Sequence, residues 1–255
     1  MVAFFLVTYA VTWTLWIAAS AAPLSGALRE LLFLPGTVAP ALVALRFTAR
    51  WEGPAATQAL VGRLFAWRVQ ARWYGFAVGY LAVIKMTAAI AQRLVTGAWP
   101  GVEAVSWWLL AAAIPLSTLV QAGEEIGWRG YALPRLAARL GLARASVVLG
   151  VIWGSWHLPL FFIPGTDVTG QSFPVYLLSV SAVSVALAWL YGHTNGSLLL
   201  VMLMHAAINN TPHFVPPSGA NVFALSSSLA GWLTTLLLWL CTGYFLLRMP
   251  ELAER

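Results

Sequence analysis

Apolar stretches of about twenty residues recur along this chain, at roughly 2–22, 31–48, 73–94, 105–131, 145–163, 174–192, 196–214 and 224–247. A helix rising 1.5 Å per residue needs about 20 such residues to cross roughly 30 Å of hydrocarbon. The expected fold is therefore all-α, a polytopic membrane helix bundle of about eight transmembrane helices, read as a single domain over residues 1–255. Composition agrees with that class. The chain is 60% hydrophobic and 9% charged, whereas a soluble domain carries about 25% charged residues. The fourth and fifth stretches differ from the rest because charge and proline interrupt them.

Arginine sets the expected orientation, since Lys and Arg accumulate in cytoplasmic loops. Arg46, Arg50, Arg63, Arg68 and Arg72 fill the second loop, Arg135, Arg139 and Arg144 the fourth, and Arg248 and Arg255 the C-terminal tail, while Arg29 and Arg93 fall on the other side. Eight spans with both termini cytoplasmic fit this distribution. The net charge of +6 then needs no nucleic-acid partner; the lipid bilayer is the expected surroundings.

Smaller features refine this picture. Ala19-Ser20-Ala21 resembles a signal-peptide cleavage site, but no Lys or Arg precedes the apolar run, so the first stretch is read as a retained helix. Cys241 is the one cysteine and forms neither an intrachain disulfide nor a cysteine cluster for metal. Leu60, Leu64, Phe65 and Trp67, interleaved with Arg63 and Arg68, predict a short amphipathic helix on the cytoplasmic surface. Gly75 and Gly79 form a GxxxG in the third span, a helix-packing signal.

Charged groups at membrane depth cost about 2.5–3.5 kcal/mol each on insertion scales, so they are rare and mark function. Gln121-Ala-Gly-Glu124-Glu125-Ile-Gly-Trp-Arg129-Gly130 carries two adjacent carboxylates and an arginine. Glu125 and Arg129 are i, i+4 and share a helix face, while Glu124 is turned about 100° away. This spacing predicts a structural Glu125–Arg129 ion pair and leaves Glu124 as the reactive acid or base. In the next span Trp153 and His157 share a face; Ser155 points elsewhere, which argues against a serine nucleophile. In the seventh span His205 and Asn209 are again i, i+4. Measured from cytoplasmic boundaries near Arg135, Arg144 and Gly196, Glu124, His157 and His205 lie roughly 16, 20 and 13 Å deep, which lets them converge. Lys85, mid-span in the third helix, is read as structural or cavity-lining, and His193 and His213 as interfacial.

One free carboxylate, two histidines and an amide around a buried aqueous pocket suit hydrolysis. A desolvated carboxylate can act as general base toward water. A histidine can orient that water or bind a metal that acidifies it, while the second histidine and the asparagine donate to an oxyanion.

At these residues the chain resembles the CPBP intramembrane proteases, which include the Ras-converting CAAX endopeptidases and bacterial relatives linked to bacteriocin handling. The resemblance rests on Glu124-Glu125-Ile-Gly-Trp-Arg129, Trp153-Gly-Ser-Trp-His157 and His205-Ala-Ala-Ile-Asn209, in the family's order, and its catalytic core covers about 105–214. Trp153 stands where prenyl-processing relatives have phenylalanine. The resemblance implies an intramembrane endopeptidase of the cytoplasmic membrane of a bacterium or archaeon, acting on membrane-embedded or lipid-modified (CAAX-type) substrates. Glu124 and His157 would activate water, His205 and Asn209 would stabilise the oxyanion, Glu125 and Arg129 would give electrostatic support, and Trp153 would wall the site. The family name carries the word metalloprotease, so zinc on Glu124, His157 and His205 is an alternative. The helical His-Glu-x-x-His pair is missing, and no obligatory cofactor is expected. Two other classes compete: a non-catalytic bacteriocin-immunity or scaffolding protein of the same fold, and an ion-coupled transporter, which would often show two duplicated halves; no duplication is visible. None of these features sets the oligomeric state.

Overall fold

The computed structural model describes residues 1–22, 27–100, 107–169, 172–211 and 229–252. Every regular element among them is helical: α1 Val2–Ser20, α2 Ala27–Trp51, α3 Pro54–Gly62, α4 Ala71–Thr96, α5 Trp107–Glu125, α6 Leu133–Trp156, α7 Phe173–His193, α8 Leu198–Asn210 and α9 Leu229–Leu247. The protein is thus a polytopic helical bundle. Six helical stretches among the described residues are long and apolar enough to cross a membrane. One of these, Ala112–Phe162, runs through both the fourth and the fifth predicted spans. The seventh predicted span corresponds to α8, whose 13 residues reach about 20 Å; its predicted outer end and His213 lie outside the described residues.

Helix α7 forms the centre. Of its apolar window 72% is buried, against 28–39% for the other long helices, so its neighbours rather than lipid supply its packing. Its Ser184 hydroxyl donates to the Ser146 carbonyl of α6 at 2.9 Å, the kind of interhelical bond that polar side chains make inside a membrane bundle.

The acidic motif does not close a span, as its sequence suggests, but sits mid-way along a continuous helix. Glu124 and Glu125 end α5, Ile126–Ala132 widens into a π-helical segment, and α6 follows directly. The Leu133 N–H donates five residues back to the Trp128 carbonyl. Pro134 gives the physical reason: it supplies no N–H, and its ring crowds the carbonyl four residues back, so the ladder before it must open. Helical geometry then stops at Gly141, whose φ of 73° is the left-handed region glycine adopts without strain. That break lies between Arg139 and Arg144.

Two expectations need correction. Among the described residues, a methyl group at Gly75 or Gly79 would meet nothing within 4 Å, so that GxxxG makes no close helix contact with them. The tight contacts fall at Gly123 and Gly127, where a Cβ would lie 3.0 Å from the Val38 Cα and 2.7 Å from the Pro40 carbonyl carbon. These glycines let α2 press its backbone against the acidic motif. The surface helix also ends earlier than its apolar spacing suggests. Leu60 is buried, but Phe65 and Trp67 lie beyond Gly62 and are exposed.

Candidate active site

The Glu125–Arg129 pairing expected from spacing is present. Arg129 Nη1 lies 2.8 Å from Glu125 Oε1 and 3.2 Å from Oε2, and both side chains are fully buried. A third partner joins them: His205 Nδ1 of α8 approaches Glu125 Oε1 to 2.7 Å. A carboxylate oxygen accepts, so Nδ1 carries the proton and Nε2 is the remaining ring nitrogen.

Glu124 is not free of partners. The indole N–H of Trp153 donates to its Oε2 at 2.7 Å, leaving Oε1 outside that bond. Trp153 lies at the centre of the cluster. Its ring faces the Arg129 guanidinium, with Cζ 4.2 Å from the centroid. It meets His205 and His157 edge-on at 5.2 and 5.8 Å. A cation over an indole face is worth about 2 kcal/mol or more when desolvated, so the ring and Glu125 together hold the buried guanidinium. Its Nε and Nη2 find no hydrogen-bond partner among the described residues.

His157 occupies the C-cap of α6, and its Nδ1 lies 2.9 Å from the Trp153 carbonyl. That oxygen can only accept, which puts the proton on Nδ1 and makes Nε2 of the neutral ring an acceptor. Asn209 sits one turn beyond His205 with its side chain exposed. The structure therefore brings Glu124, Glu125, Arg129, Trp153 and His205 into direct contact, attaches His157 through Trp153, and puts Asn209 at the edge.

Helix α1 contributes contacts that the sequence did not single out. The Tyr9 hydroxyl donates to the Ile152 carbonyl and the Trp13 indole donates to the Trp156 carbonyl, the latter at 2.9 Å. Trp16 packs on Trp156 at 4.6 Å and reaches His157 at 6.4 Å. From α7, the Tyr176 ring closes on His157 at 5.6 Å. The available signal was the 9, 13, 16 spacing, which puts three aromatics on one helix face; nothing in it named α6 as the partner.

The remaining polar positions lie elsewhere. His193 is held by the Trp189 carbonyl at 2.9 Å and stacks near Trp73 at 4.7 Å. Lys85 is buried in α4. No group of three His, Cys, Asp or Glu among the described residues is arranged to hold a metal ion. Glu124, His157 and His205 do not form such a group, although the Nδ1 bonds of both histidines leave their Nε2 atoms available.

Residues 105–211 match the family model described as Rce1-like, type II CAAX prenyl endopeptidase Rce1-like. CAAX prenyl protease 2 of Methanococcus maripaludis is 25% identical over 225 residues, with 81% of each chain covered. The family-model match includes the segment that supplies Glu124, Glu125, Arg129, Trp153, His157, His205 and Asn209. Over residues 105–211 the chain is therefore similar to the Rce1-like type II CAAX prenyl endopeptidases.

Proposed function

We propose that the protein is an intramembrane endopeptidase that cleaves prenylated, CAAX-type or other membrane-associated peptides, using Glu124 as general base. The observation that carries this reading is the meeting of the three motif segments: Glu124 takes the Trp153 indole N–H at 2.7 Å, and Glu125, one residue on, takes His205 at 2.7 Å. In this reading Glu124 accepts a proton from water as the water oxygen attacks the scissile carbonyl carbon. The lone pair on His157 Nε2 orients that water. When the tetrahedral intermediate collapses, Glu124 returns the proton to the departing amine.

Charge balance supports the roles on the other side. Two carboxylates, the Arg129 guanidinium and a protonated His205 sum to zero, so a buried cluster with both glutamates ionised is neutral when His205 is an imidazolium. Its Nε2–H and the Asn209 amide would then donate to the developing oxyanion, a device worth about 10²–10³ in rate per donor. Similarity to the family model and the name of the methanogen relative bring the prenylated substrate class into the proposal. Both termini are assigned to the cytoplasm on the arginine distribution.

The test is cleavage of a farnesylated CAAX peptide by detergent-purified protein, compared with Glu124→Gln. Hydrolysis lost in a variant that keeps the parent's thermal unfolding supports the reading. A fully folded parent that cleaves neither prenylated nor unmodified peptides favours the scaffolding alternative.

A further inference from the structure

Gln121 lies one helical turn before the two carboxylates and takes no part in the mechanism above. It is 6% exposed, and its carbonyl oxygen Oε1 is buried with no hydrogen-bond partner among the described residues. Its amide nitrogen reaches only the Ser117 hydroxyl, at 3.4 Å. A buried carbonyl without a donor costs about 1–3 kcal/mol, and native proteins leave few such groups unpaired.

Its position on the helix is informative. At 100° per residue, Glu124 lies about 60° to one side of Gln121 and Glu125 about 40° to the other, so the Gln121 side chain projects between the two carboxylates. It is displaced along the axis by roughly 4.5–6 Å. Helix α8 runs antiparallel beside this stretch. A methyl at Gly130 would stand 3.0 Å from Leu198 Cδ1, and Glu125 meets His205, so moving back along α5 corresponds to moving forward along α8. By that register Gln121, four residues before Glu125, is level with Asn209, four residues after His205.

We propose that Gln121 is a substrate-positioning residue whose Oε1 accepts a backbone N–H from the peptide being cleaved. The inference rests on the peptidase reading above. An extended peptide repeats its N–H groups on one side every two residues, about 6.6–6.8 Å; the axial offset between Gln121 and Glu124 is roughly 4.5 Å, a difference of about 2 Å that a glutamine side chain can span. A peptide whose scissile bond faces Glu124 therefore offers Gln121 the N–H two residues away. Ground-state and transition-state binding share this bond, so its loss acts on KM and not on kcat.

The experiment uses a fluorogenic farnesylated CAAX peptide and a series N-methylated at single backbone amides within two residues of the scissile bond. With the parent enzyme, one N-methyl position raises KM about tenfold at unchanged kcat, the size of one lost hydrogen bond to a buried acceptor. Gln121→Met raises KM about tenfold for the unmodified peptide and becomes indifferent to that same N-methyl group. Gln121→Leu serves if the Met variant fails to fold, and the scan on the parent needs no variant. Equal KM for parent and Gln121→Met, sensitivity that persists in the variant, or a parent indifferent to every N-methyl group overturns the assignment while leaving the peptidase reading intact. A folded parent that cleaves no peptide overturns both.

Discussion

Trp153 donates its indole N–H to Glu124 across 2.7 Å. The resemblance implies phenylalanine at this position in prenyl-processing relatives, an aromatic ring without a donor. The tryptophan adds a fixed N–H to the carboxylate assigned as base while its ring covers Arg129 and touches both histidines. Trp153→Phe keeps an aromatic ring but removes the hydrogen bond together with the second ring of a buried indole. A bond to a charged acceptor is worth about 1.5–3 kcal/mol, so kcat should fall roughly 10- to 100-fold, and the lost volume should also lower thermal stability. Michaelis parameters and a melting curve on the same preparation decide it; an unchanged kcat would remove the indole bond from catalysis.

The Glu125–Arg129 pair should matter more for stability than for the chemical step. Arg129→Ala strands a fully buried carboxylate, and breaking a buried pair from one side costs about 3–5 kcal/mol. It also removes the cation from the Trp153 face. Glu124→Gln keeps volume and polarity, so it should unfold close to the parent. Thermal unfolding in one detergent ranks the two variants; equal midpoints would mean that Glu125 does not depend on Arg129.

Much of this arrangement is legible in the amino-acid sequence. Run lengths locate the long helices, because a bilayer sets a minimum apolar length, and i, i+4 spacing foresees the Glu125–Arg129 pair because both residues share one helix. Contacts between helices are a different matter. Glu125 and His205 are 80 positions apart, and whether Trp153 presents its N–H or only its face depends on a rotamer chosen by neighbours. Pro134 signals a disturbed helix but not a π segment. Gly75 and Gly79 illustrate the converse: a packing motif is only a permission, and among the described residues no helix approaches closely there.

Orientation follows from arginine and is testable residue by residue. In a Cys241→Ala background, Gln58→Cys and Arg139→Cys should react with an impermeant maleimide from the cytoplasmic side, and Asp167→Cys from the other; all three native side chains are exposed. Inverted vesicles and intact cells supply the two directions. Labelling of all three from one side would overturn the orientation with cytoplasmic termini.

The oxyanion assignment and the metal question are answered by the same set of variants. Asn209 stands one turn from His205, whose Nδ1 is already tied to Glu125 at 2.7 Å, so the two side chains should act on the transition state. Asn209→Ala should then lower kcat by about 10²–10³ with KM nearly constant, as for one lost oxyanion donor. His205→Ala should be at least as damaging, because it removes a donor and also leaves Glu125 with Arg129 alone. Both effects should appear without any change in metal content. The zinc alternative makes the opposite forecast, since a ligand histidine takes the ion with it and a chelator inactivates the parent. Metal analysis of the parent, His157→Ala and His205→Ala should find no stoichiometric zinc in any of them, and activity should survive a chelator. Zinc present in the parent and lost in both histidine variants would replace Glu124-activated water with a metal-bound one.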